Sequence, residues 1–263
     1  MESTPSIEVI DVKAKVGLKR RVSLCLEGPM IVGIIGPNGA GKSSLLRLFA
    51  GLNSEPGAEI LICRDHLHEI HSLERARRIA YLAQSPPLSS MLSVSELVEQ
   101  GLYPHRNRVS FLAAKESLEH SLNQLGLTHF RSRRLSSLSG GEQRRAFIAR
   151  SLAQCAPIML LDEPLANLDW ASQEKLMRLF SSVRDERRSL IVITMHNLNL
   201  AALYADYLLL LAEGEVASAG EAQLLINETV LSKAYGDQPL LTPHFHRGIP
   251  QLSPWGPGEL YES

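Results

Sequence analysis

The sequence predicts an α/β fold: a strand-and-helix core with an N-terminal antiparallel β layer and an inserted α-helical subdomain. Three observations carry that reading. MIVGII, 30–35, is apolar throughout, as a strand buried on both faces must be, and it runs into a glycine loop and a helix. From about 85 to 156 the apolar residues fall at helical spacing, as in VSELVEQGL and AAKESLEHSLNQLGL, with no convincing buried strand. The strand pattern then resumes in IMLL (158–161), LIVIT (190–194) and YLLLLA (207–212).

In chain order, 7–12 and 22–26 alternate enough for a half-exposed antiparallel layer. The helix after the glycine loop, SSLLRLFAG, has Gly51 placed as its C-terminal stop. IAYLAQ, 79–84, is another strand candidate. Strands interrupted by a helical block divide the chain into one domain over 6–235. Its core takes 6–84 and 157–235, and its helical subdomain takes 85–156. The extension over 236–263 is rich in proline and turn residues and is expected to pack irregularly along the surface.

With 263 residues, 44% of them hydrophobic, and a mean hydropathy of -0.02, the chain has the composition of a globular protein with a sizeable core. A net charge of -1 gives no global field for DNA or an anionic membrane. Cys25, Cys63 and Cys155 lack metal-ligand spacing and are expected to be buried reduced thiols of a cytosolic protein. The start, MESTPSIEVIDV, lacks the basic-then-apolar pattern of a signal peptide, and the longest apolar runs are too short to cross a bilayer. Any membrane role therefore goes through a partner. His66, His68 and His71 are read as a solvated turn, and Arg131, Arg133 and Arg134 as a solvated face.

GPNGAGKS, comprising Gly36, Pro37, Asn38, Gly39, Ala40, Gly41, Lys42 and Ser43, fits G-x-x-x-x-G-K-[ST] between a buried strand and a helix. Glycines let successive N–H groups turn inward around a β-phosphate, and the helix N-terminus adds its field to the same anion. Lys42 can reach the β- and γ-phosphates, Ser43 offers a hydroxyl to Mg²⁺, and Ser44 offers another nearby. A mere connecting turn would not need the lysine. Alone, the motif says only nucleotide binding.

IMLLDEP, 158–164, drives a buried strand into two carboxylates. Beside such a loop, Asp162 can hold Mg²⁺ through its water shell, and Glu163 can polarise an attacking water as general base. An acidic strand-to-loop turn with solvated charges is the alternative, and the upstream phosphate loop weighs against it.

LSGGEQRR, 138–145, is the most informative stretch. Ser139, Gly140 and Gly141 open a helix carrying Glu142 through Gln154, so a second set of N–H groups points outward at a helix N-terminus. One ATP does not need two such sites from the same chain. The economical explanation is that this one completes the site of a second copy, in a two-fold dimer that sandwiches two ATP molecules.

On these residues the chain resembles the ATP-binding-cassette (ABC) transporter ATPases over about 6–235. The resemblance implies a P-loop NTPase core of RecA-like type, with Mg-ATP bound and hydrolysed. It also implies further roles. Gln84 matches the Q-loop glutamine, which touches Mg²⁺ or the water and relays nucleotide state to a permease. His196 matches the switch histidine that contacts the γ-phosphate, and ANLD, 166–169, matches the D-loop that crosses the dimer interface. Two departures stand out. No aromatic residue lies in 12–23 to stack on adenine, leaving Val16 or Leu18 for apolar contact, and Ala166 replaces the usual hydroxyl residue of the D-loop.

EQGLYPHR (99–106), HNLNLAALYADYLLLLAEGEVASAGE and LSKAYG (231–236) are similar to importer ATPases for cobalamin, iron-siderophores and haem. That branch implies a homodimer on two integral-membrane permease subunits, served indirectly by a substrate-binding protein. It would be peripheral at the cytoplasmic face of the inner (plasma) membrane, with no nucleic acid expected. An exporter ATPase, and a soluble cassette acting on nucleic acid, remain the alternatives.

Overall fold

The computed structural model describes residues 4–86, 91–108, 110–235, 240–243 and 249–253. Strand β1 (Ser6–Val12) pairs antiparallel with β2 (Val22–Glu27), and β3 (Met30–Ile35) leads through the glycine loop into α1 (Lys42–Phe49). Next come β4 (Glu59–Ile62), the short β5 (Asp65–His66), α2 (Ser72–Arg78) and β6 (Ile79–Leu82). The helical block holds α3 (Val94–Glu99), α4 (Phe111–Gln124) and α5 (Gly140–Ala153), with short 3-10 turns between them. The chain returns through β7 (Ile158–Leu161), α6 (Trp170–Arg187), β8 (Leu190–Thr194), α7 (Leu198–Tyr204) and β9 (Tyr207–Ala212). After β10 (Glu215–Glu221) come α8 (Ala222–Leu225), α9 (Glu228–Tyr235), β11 (Leu240–Pro243) and β12 (Pro250–Ser253).

The central sheet has the order β10-β9-β3-β8-β7-β6, parallel throughout except for β10 at its edge. Its parallel strands read as apolar runs because both faces are covered. Ile31, Met159, Leu161, Ile191, Ile193, Leu208 and Leu210 enter the core shared with α5 and α6. Their neighbours Val32, Ile34, Ile158, Leu160, Val192 and Leu209 enter a second core with α1 and the N-terminal layer. That period-two division is what a pleated strand imposes.

The N-terminal layer is the sheet β2-β1-β4-β5, antiparallel as expected but with two strands that the sequence reading did not place. Ile7 and Val9 face inward while Ile10 and Asp11 are exposed. Strand β10 was also not anticipated. It is a half-exposed edge of small and acidic residues, and its pairing with the buried β9 makes it a strand.

The helical block leaves the sheet at the end of β6 and re-enters at β7, its parallel neighbour. Ser93 and Glu96 form a capping box on α3. Gly101 lies flat against α5, since a Cβ there would stand 2.2 Å from the Arg150 carbonyl oxygen. His105 Nε2 bonds the Gln154 carbonyl at 3.0 Å, and Arg77 Nε donates to the Pro104 carbonyl at 2.8 Å. The residues of GLYPH thus serve largely to seat this turn, while Tyr103 stays exposed.

Two expectations are corrected. Only Cys63 is a buried thiol: Cys25 lies on the outward face of β2, and Cys155 sits in a left-handed turn past α5. His71 is exposed, in keeping with the solvated turn expected, and it caps α2, its Nδ1 accepting from the Leu73 N–H at 3.4 Å. In the extension after Tyr235, β11 and β12 pair as an antiparallel ribbon where irregular packing was expected. Leu252 fastens the ribbon to α7, its N–H donating to Asn199 Oδ1 at 2.7 Å. Gly236 and the rest of that extension lie outside the described residues. Among the described residues no helix is long and apolar enough to cross a membrane.

Candidate active site

The parallel strands β3, β6, β7 and β8 all end at one edge, the place where open α/β sheets bind ligands. Pairing of Leu82 with Leu161, Leu161 with Ile193, and Ile34 with Thr194 levels those ends. A cavity of about 680 Å³ opens there, lined by Gly17, Asn38, Gly39, Gly41, Lys42, Ser43, Ser44, Gln84, Glu163 and His196. A larger one, of about 920 Å³, lies at the other end of the sheet beside Met30 and Tyr207 and holds none of the residues singled out above.

The glycine loop is shaped by its surroundings. A Cβ on Gly36 would meet the Leu211 carbonyl oxygen at 2.1 Å, and Gly36 has φ 142°. Gly41, at φ 101°, would strike the Gly17 carbonyl oxygen at 2.7 Å. Lys42 is almost fully buried, its Nζ donating to the carbonyls of Gly36 at 2.8 Å and Pro37 at 3.0 Å. Burial lowers its pKa, against the pull of Glu163 and Asp162. Gly36, Pro37 and Ala40 shape the loop from behind and do not line the cavity. On α9, Tyr235 is pushed up to about 12 by burial, opposed by a hydrogen bond with the Gly36 backbone.

Asp162 is fully buried at the end of β7. Its Oδ1 accepts from Ser43 Oγ at 2.9 Å and from Thr194 Oγ1 at 2.9 Å, while its Oδ2 is buried with no hydrogen-bond partner. A buried carboxylate oxygen left unpaired beside a serine hydroxyl has the chemistry of a hard-cation site, so the donor set fits Mg²⁺.

Glu163 follows in a left-handed conformation, φ 48°. The Thr194 hydroxyl accepts its N–H at 2.6 Å, and its Oε1 lies 2.8 Å from His196 Nε2. Burial would push its carboxyl up, but hydrogen bonds from His196 and Gln84, with the Lys42 charge, hold it below the usual glutamate range. It therefore stays ionised at neutral pH, facing the loop. A carboxylate so placed can take a proton from water attacking a bound phosphate.

Ser139, Gly140, Gly141 and Glu142 do not line this cavity. Ser139 caps α5 with Glu142 as its box partner: the Ser139 N–H donates to Glu142 Oε2 at 2.7 Å, and Ser139 Oγ accepts the Glu142 N–H at 3.4 Å. Gly140 has open space where a Cβ would be, and Gly141 abuts Asn167 and Leu168 of the ANLD loop.

A protein-family model described as ABC transporter matches residues 19–166. The chain belongs to that family. Within it, the chain is similar to the ferric enterobactin transport ATP-binding protein FepC of Escherichia coli K12. The two are 34% identical over 225 residues, which is 85% of this chain and 83% of that one. It is 36% identical to the hemin import ATP-binding protein HmuV of Bordetella avium over 249 residues, 91% of this chain and 95% of the relative. The cobalamin import ATP-binding protein BtuD of Halobacterium salinarum is 36% identical over 205 residues, but the chain spans only about half, 52%, of that relative's length. Among solved structures, the cassette MJ0796, dimeric and bound to ADP and Pi, superposes with a TM-score of 0.73 at 26% identity, over 82% of this chain and 98% of that one.

Within this ABC cassette, three site residues escaped the sequence reading. Gly17, at φ 86°, passes so close to Ser44 that a Cβ would stand 2.0 Å from its Oγ. Thr194 bridges the two carboxylate residues, and a hydroxyl closing an otherwise apolar strand was the available signal. Arg144, on α5, spans two loops of the site. Of the two candidates for apolar contact with adenine, Leu18 is 6% exposed beside Gly41 and Val16 is 71% exposed.

Proposed function

We propose that the chain is the energy-coupling subunit of an importer: two copies bind two Mg-ATP between them, hydrolyse them, and drive a permease pair. The observation that carries this is the Glu163 carboxylate, fixed by His196 at 2.8 Å beside the glycine loop and next to buried Asp162. In this reading the amides of Asn38, Gly39, Gly41, Lys42, Ser43 and Ser44, the loop residues that line the cavity, hold the phosphates together with the Lys42 side chain. Glu163 takes the proton of the attacking water, and His196 and Gln84 orient that water and the γ-phosphate. Ser43 and, through water, Asp162 would hold Mg²⁺, which would neutralise phosphate charge. Val16 gives adenine apolar contact.

The amides of Gly140 and Gly141, at the start of α5, would meet the nucleotide of the other copy, since they stand outside the cavity of their own chain. Glu142 holds that cap in shape. The cargo class is a cobalamin, iron-siderophore or haem, in keeping with the names of the relatives and with the GLYPH turn. The permease pair, with a substrate-binding protein beyond it, places the cassette peripherally at the cytoplasmic face of the inner membrane. Glu163→Gln tests the reading: turnover should fall at least about a thousandfold while ATP induces a stable dimer on size-exclusion chromatography. Turnover at the wild-type rate would remove Glu163 as the base, and absence of an ATP-induced dimer would remove the shared site.

A further inference from the structure

Arg144 lies in the second turn of α5, five residues beyond Ser139, and is 7% exposed. Among the described residues its guanidinium forms no ion pair with a carboxylate; it bonds backbone carbonyls instead. Nη1 donates to the carbonyls of Ala83 at 3.0 Å and Gln84 at 2.9 Å. Nη2 donates to the carbonyl of Glu163 at 2.7 Å and also to that of Asp162. One planar fork thus spans the ends of β6 and β7, and three of its four acceptors belong to Gln84, Asp162 and Glu163.

The Glu163 peptide is where such a grip has most effect. Its left-handed backbone is unfavourable for a residue with a Cβ and persists only where neighbours over-determine it. Thr194 holds its N–H from β8, and Arg144 holds its carbonyl from α5. The positive charge also lies close to both carboxylates, a favourable interaction for the ionised pair. A lysine, with donors radiating from one nitrogen, cannot reproduce the planar fork that reaches both loops.

We propose that Arg144 is a positioning residue for hydrolysis: it fixes the helix that opens at Ser139 to the backbone of Gln84 and Glu163. The inference rests on the dimeric ATPase reading above. It adds that the helix start facing the second copy is mechanically tied to the base and glutamine of its own chain. Nucleotide binding, which falls to the glycine loop, does not pass through this side chain.

The test uses the full chain with Arg144→Gln and Arg144→Lys, measuring Mg-ATP affinity by titration calorimetry and steady-state kcat. For Arg144→Gln the expected result is a kcat about tenfold or more below wild type with ATP affinity within about twofold, and Arg144→Lys falls between the two. A folded Arg144→Gln variant turning over at the wild-type rate overturns the proposal. So does a loss of ATP affinity in step with kcat, the mark of a general collapse of the site. If Arg144→Gln fails to fold, the same two numbers are read from Arg144→Lys, where an unchanged kcat overturns it. A wild-type chain without ATP turnover overturns the functional reading and this inference together; altered turnover limited to the variants concerns Arg144 alone.

Discussion

Thr194 shows how much a single hydroxyl organises at the residue scale. It donates to Asp162 Oδ1 and accepts from the Glu163 N–H, so one atom sets the spacing of both acidic residues. Thr194→Val keeps the shape and removes both bonds. We expect a loss of about 1–3 kcal/mol in chemical unfolding, since a buried donor and acceptor lose their partner. A drop in kcat should accompany it with ATP affinity retained; unaltered stability and rate together would show that the bridge carries no weight. The acidic pair itself was legible in the sequence, because a buried strand ending in two carboxylates follows a phosphate loop upstream. Its scaffold was not, because Thr194 and Arg144 act through contacts across 31 and 19 positions of chain that no local pattern encodes.

At the scale of elements, the buried strands were the most readable part. An apolar run covered on both faces leaves little choice, and β3, β7, β8 and β9 fall where the runs do. The short β4 and β5, and the edge β10, owe their conformation to neighbours rather than to their own residues, and so were missed. Helix α1 illustrates the reverse case, with Gly51 ending it at φ 70° as its position suggested. This helix carries the phosphate loop on one end and buries Leu45, Leu46, Leu48 and Phe49 in the core below. Phe49→Ala should cost about 3–5 kcal/mol in denaturant unfolding, as a fully buried aromatic leaves a cavity. A cost below about 1 kcal/mol would mean that the second core tolerates collapse at that point.

At the scale of the whole molecule, nucleotide and stability are linked. A ligand that binds only the folded chain raises its melting temperature by mass action. Saturating Mg-ATP should therefore raise the Tm of the wild type, whereas Lys42→Ala, stripped of the buried cation behind the loop, should show little shift. An equal shift in both would mean that Lys42 adds no affinity. The sequence also implied an organisation in which half of each working site sits on another copy, because the helix start at Ser139, Gly140 and Gly141 offers a second set of N–H groups that one ATP does not need. What composition could not convey is how the tail behaves. The ribbon of β11 and β12 lies on α7, the helix that begins two residues after His196.

The helical block departs from β6 and returns through β7, strands already joined side by side. Because exit and entry share one seam, the block is attached like a graft at a single scar. The register of the core strands is set by their own pairing and not by the block. The graft is seated where its helix brings Arg144 to four waiting carbonyls, so a single side chain ties the inserted block to the core that it leaves and rejoins.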